Sequence, residues 1–138
     1  MEDFTEQELC DVVAAANSPD WSVRAAAGQR LAAASQVESV AGVLHRLLLD
    51  AHDTGVISDT AVALLARRDL AGLRVVLAAR AVASDQGTAD QLDAELDVDP
   101  RWATGQDCDE LITQLRTLAS DRDPGIRSEA RWRLALRR

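Results

Sequence analysis

A chain of 138 residues with 47% hydrophobic content has the length of one domain and enough apolar side chain to bury a core. Its formal net charge of -8 repels phosphate backbones, so nucleic acid is disfavoured as a partner. No apolar run approaches the ~18 to 20 residues of a membrane span, and the opening MEDFTEQELC is acidic where a secretory leader is basic and then apolar; both features predict a cytoplasmic protein with no membrane role.

Helical periodicity predicts segments over 5–16, 21–34, 36–49, 56–68, 70–84, 88–97, 107–119 and 124–137. Turn formers separate them at 17–20, 50–55, 84–87, 98–105 and 120–124. Asp20, Asp53 and Asp123 stand just before helical segments, where a carboxylate accepts bonds from free backbone amides and opposes the positive end of the helix dipole. No stretch alternates apolar and polar residues as a half-buried strand does, so the fold class is all-α. The 25 alanines predict helices packed close together. All 15 basic residues are arginine, which with the alanine excess points to a GC-rich genome.

The second and last segments echo each other. Aligning Val23 with Ile126 also aligns Asp20 with Asp123, Arg24 with Arg127, Ala27 with Ala130 and Leu31 with Leu134. The same frame fits Asp53, Val56, Thr60 and Leu64, and then Asp85, Thr88, Leu92 and Leu96, although the arginine is lost in both. This turn with Asp, followed by V/I-R-x-x-A-x-x-x-L, resembles the second helix of HEAT-like repeats. The spacing of the units lies in the range of helical-pair repeats. The resemblance implies one domain over 1–138, a right-handed α-α superhelix of about four antiparallel pairs with units at 5–34, 36–68, 70–97 and 107–137. It further implies that Asp20, Arg24, Asp123 and Arg127 act as structural clips, in pairs that tie a turn to the neighbouring repeat. Some HEAT-like proteins are DNA glycosylases; the acidic charge and the scarcity of aromatic residues argue against that activity here.

Candidate binding residues follow from the second helices once Val23, Ala27, Leu31 and their counterparts are assigned to the core. Steps 2, 5, 6 and 9 then line a concave groove: Ala25, Gly28, Gln29 and Ala32; Ser58, Ala61, Val62 and Leu65; Asp90, Asp93, Ala94 and Asp97; Ser128, Arg131, Trp132 and Ala135. Gln29, Ser58, Val62, Asp90, Asp93, Asp97, Arg131 and Trp132 are the candidates for contact with a basic or amphipathic protein or peptide partner. Two readings of Trp132 stay open, an exposed binding anchor or a cap tucked against the preceding pair. Trp21 is expected to staple its turn, and Trp102 to pack over the 98–105 insertion.

Catalytic patterns are thin. His45 and His52 lack a third ligand at suitable spacing, so no metal site is expected, and no cofactor motif is present. The acidic stretch 97–110 fails as an EF-hand, having Trp102 where glycine and Cys108 where a bidentate glutamate are required. Cys10 and Cys108 are expected as free thiols. The expectation is a non-enzymatic interaction module, a scaffold or an immunity- or antitoxin-like protein, as a monomer or weak homo-oligomer. Two alternatives stand beside it: a HEAT-like enzyme or ligand carrier acting on nucleic acid through the arginine-rich last helix, and a unit that self-assembles by stacking its end repeats.

Overall fold

In the computed structural model, which describes residues 2–137, the chain is all-α. Eight α-helices follow one another: α1 Glu6–Ala15, α2 Trp21–Ala32, α3 Ala41–Leu48, α4 Thr54–Ala66, α5 Leu70–Val82, α6 Gln86–Asp97, α7 Gly105–Leu118 and α8 Pro124–Leu136. Aspartate sets five of the starts: Asp20, Asp53, Asp69, Asp85 and Asp123 each accept backbone N–H bonds from the first turn of α2, α4, α5, α6 and α8. Each such cap stabilises a helix by about 1 kcal/mol. Thr5 and Glu8 form a reciprocal capping box on α1. The expected helix over 36–49 instead opens as a 3-10 turn, Val37–Val40, and Gln36 makes no side-chain cap there. A second 3-10 turn, Pro100–Ala103, occupies the predicted 98–105 insertion.

Helices α2, α4 and α6 lie side by side, with α3 and α5 packed behind them. The tightest meeting is between α2 and α4, and Gly28 makes it possible: a Cβ there would lie 2.1 Å from Thr60 Oγ1. α8 takes its main packing from α5 and α7, and reaches α6 through the buried Arg133. Leu31, Leu44, Leu64, Leu77, Leu92, Leu115 and Ile126 are fully buried along one continuous core.

Close packing of α2 on α4 overturns part of the expected facing. Ala25, Gly28 and Ala32, expected in an open groove, are buried, whereas Val23, expected in the core, is 39% exposed. Ala61 and Leu65 of α4 are likewise buried. Small side chains are what let two backbones approach, so the α2 face richest in them turns inward while the larger Val23 stays out.

The expected clip pairs are also re-partnered. Asp20 and Asp123 act as caps, and neither bonds the arginine four residues on. Arg24 donates instead to Asp50, 2.9 Å away in the turn before α4, and to the Ser18 carbonyl at 3.0 Å. Arg127 repeats the second of these bonds, donating to the Asp121 carbonyl at 2.9 Å. The carboxylate of Asp121 is taken by Arg74 of α5, at 2.9 and 3.1 Å. Thus Arg24 and Arg74 hold the turns that launch α4 and α8, the two helices packed on their own.

Candidate functional site

A pocket of about 410 Å³ lies between the C-terminal halves of α4 and α6, closed by the Pro100–Ala103 turn and the first turn of α7. Its apolar lining is Val62, Leu65, Ala66, Val98 and Pro100; its charged rim is Arg68, Glu95 and Asp107, over Asp99 and Arg101. Val62 is 51% and Val98 70% exposed, unusual for two branched aliphatic side chains flanking one pocket.

The chain builds this pocket through buried polar contacts. Asp99 caps the 3-10 turn and pairs with Arg101, both side chains nearly sealed from water, at 3.1 Å. Arg101 also donates to Gln114 Oε1 at 2.9 Å, and Gln114 donates to the Arg68 carbonyl at 2.9 Å, so α7 is tied to the end of α4. Arg68 has a φ of 60°, the left-handed conformation that favours glycine, and its guanidinium pairs with Asp107 across the rim. Hydrogen bonds from Thr104 and Arg68 hold the Asp107 carboxyl below its ordinary range. Between α4 and α6, Ser58 donates to Glu95 at 2.8 Å.

Of the residues expected to line a groove, Val62 and the largely buried Leu65 line this pocket, and Ser58 touches it through Glu95. Asp90 is exposed on α6 and accepts from Gln86, and Asp97, exposed at 57% of its side chain, lies 3.8 Å from Arg133. Asp93 is corrected from groove to framework: it accepts from Arg80 of α5 at 2.8 Å and from Arg133 of α8. Burial opposes its charge, but the two guanidiniums outweigh that and hold its carboxyl below the usual range. Gln29 is exposed on α2, away from the pocket, and Arg131 donates to the Ala119 carbonyl at 3.1 Å. Trp132 is 48% exposed and not tucked as a cap; the Arg133 guanidinium lies 4.7 Å from its ring centroid. Because α8 sits on α5, neither Arg131 nor Trp132 lines the pocket. Trp21 rests against the Gly55 backbone at the start of α4, and Trp102 donates to the Leu96 carbonyl at 3.1 Å beneath the Arg137 guanidinium.

Sequence reasoning missed Arg68, Glu95, Val98, Pro100, Arg101 and Asp107 as pocket residues. The signal was the longer interval at 98–105, read only as a spacer. Other chemistry is sparse. α3 ends at Leu48, so His45 and the exposed His52 share no helix face, and burial pushes the His45 imidazole down. Among the described residues no three His, Cys, Asp or Glu side chains are placed to hold a metal, and both cysteines are free. No helix among them is long and apolar enough to cross a membrane.

Comparison with protein-family models, with curated proteins and with solved structures finds no match for this chain.

Proposed function

We propose that the protein is a non-enzymatic interaction module of short HEAT-like build, and that the α4–α6 pocket takes an apolar side chain from a basic amphipathic helix of a partner protein. The carrying observation is the pocket flanked by the exposed Val62 and Val98, whose α6 side belongs to the acidic 85–110 stretch and whose rim arginine, Arg68, is paired with Asp107. Residues 85–110 hold nine carboxylates against one arginine, Arg101, which is itself buried on Asp99. An amphipathic helix places an apolar stripe in such a groove and its basic flank against Glu95, Asp97 and Asp90. A volume near 400 Å³ suits one or two aliphatic anchors, and a clustered apolar anchor supplies most of the energy at an interface of this kind.

The HEAT-like reading has support of its own. The caps Asp20, Asp53, Asp85 and Asp123 open α2, α4, α6 and α8, and three of those helices stand in one row. α8, displaced onto α5 after the insertion, departs from a regular stack.

A synthetic amphipathic helix of leucine and arginine is the probe. It should bind the folded protein, and Val62→Arg or Val98→Arg should weaken binding at least about tenfold, since each puts a charge of the helix's own sign where an aliphatic anchor is seated. Equal binding by the folded variants would sink the assignment.

A further inference from the structure

Arginine and carboxylate are not matched evenly over this molecule. Arg24, Arg30, Arg67, Arg68, Arg74, Arg80, Arg101 and Arg133 all form ion pairs. Apart from Arg46 on α3, the arginines that meet no carboxylate of the described residues in ion-pair reach are Arg116, Arg122, Arg127, Arg131 and Arg137, on α7, α8 and the turn between them, although the chain carries 23 acids. Arg127 and Arg131 are held only by backbone carbonyls. Among these cations Ile112 and Leu134 line a shallow groove of about 160 Å³ with Arg116 and Arg137. Arg138 lies outside the described residues.

The opposite imbalance sits at the other end. α1 and α2 enclose a groove of about 350 Å³ lined by Val12, Ala15, Val23 and Ala26, with Asp11 on its edge. Among the described residues Glu6 and Asp11 meet no arginine, and the one arginine in the groove, Arg30, is already engaged by Glu2 and Glu8. α1 packs on α2, and α2 on α3 and α4, while α7 and α8 pack on α5, so the two grooves lie at opposite ends.

We infer that the basic α7–α8 face of one molecule docks on the acidic α1–α2 face of a second copy, head to tail. Each face joins an apolar groove to uncompensated charge, and the signs are complementary. A phosphate backbone would meet the basic face too, but it offers nothing to the apolar groove between Ile112 and Leu134, whereas the matching acidic apolar face is present on every copy. Such a contact is heterologous, so each copy offers one free face of each kind and assembly continues with concentration. Screening between exposed charges makes it weaken with salt.

Solution mass tests this with the full chain. Arg116→Glu spoils only the basic face, by reversing its charge, and Val23→Gln only the acidic one, by removing an aliphatic lining residue without adding charge; both positions are exposed, and neither lines the α4–α6 pocket, so the outcome is independent of partner binding there. The wild-type mass should rise above the 14.9 kDa of one chain with concentration and fall back with salt. Each variant, with unchanged helical circular dichroism, should stay at the single-chain mass where the wild type has at least doubled. An equal mixture of the two variants should stop at two chains, because only one intact pair of faces remains. A wild type that stays single at every concentration overturns the inference, as does a variant that self-associates normally or a mixture that does not pair. Arg116-dependent retention of duplex DNA without self-association would also overturn it, giving the face to phosphate.

Discussion

Replacing Gly28 with alanine is the sharpest test of how this chain is packed. In an exposed helix interior that change stabilises by about 1 kcal/mol, since glycine is the poorer helix former. Here the added Cβ would lie 2.1 Å from Thr60 Oγ1, 3.1 Å from its Cβ and 3.3 Å from its Cγ2. Rotating Thr60 clears the hydroxyl but not the 3.1 Å contact, which is fixed to the α4 backbone, so α2 and α4 must separate by a few tenths of an ångström. Overpacking of this kind costs about 1 to 3 kcal/mol, outweighing the propensity gain in most of that range. We expect Gly28→Ala to lose about 1 to 2 kcal/mol in urea unfolding. Thr60 is fully buried and its hydroxyl has no hydrogen-bond partner, so Thr60→Ala alone should change little. The double variant Gly28→Ala, Thr60→Ala should regain most of the loss, a coupling of about 1 kcal/mol. A Gly28→Ala protein as stable as the wild type, or additive changes in the double variant, would refute the close approach of α2 and α4.

Two further predictions concern charge. Hydrogen bonds from Arg74 hold the Asp121 carboxyl down at about 2 against an ordinary 3.8. A depressed carboxyl contributes stability that is in place above pH 3.8 and is lost as pH falls towards 2, so Arg74→Met should be less stable than the wild type at neutral pH and the gap should close across that window; a gap that persists at pH 2 would contradict the assignment. Asp93→Asn should cost about 2 kcal/mol, because it leaves Arg80 and the buried Arg133 short of their shared carboxylate. Asp90→Asn on the exposed face of α6 should leave thermal unfolding unchanged and weaken only binding of a basic helix.

What could be read from the residues was local. Aspartate before a helix acts within one turn, so the caps at Asp20, Asp53 and Asp123 were legible, and the absence of alternating runs left no room for strands. Which helix face turns inward was less so. An apolar-periodicity reading weights Val23 above Gly28, whereas packing rewards the smallest residue wherever two backbones must meet. Partners across long separations were not legible at all: Arg24 with Asp50, Arg74 with Asp121, and Arg133 with Asp93 join residues 26, 47 and 40 positions apart. The pocket went unseen for the same reason, since Val62 belongs to the second unit and Val98 to the insertion after the third, and they flank one pocket only once α4 and α6 are side by side.

Backbone and methyl chemical-shift mapping during titration with the leucine–arginine helix tests the central claim most directly. Progressive shifts confined to Val62, Leu65, Glu95, Val98 and Asp107, with a salt-sensitive affinity, are the predicted result. A titration that leaves those residues unmoved, or whose shifts centre on Trp132 and α8, would contradict it.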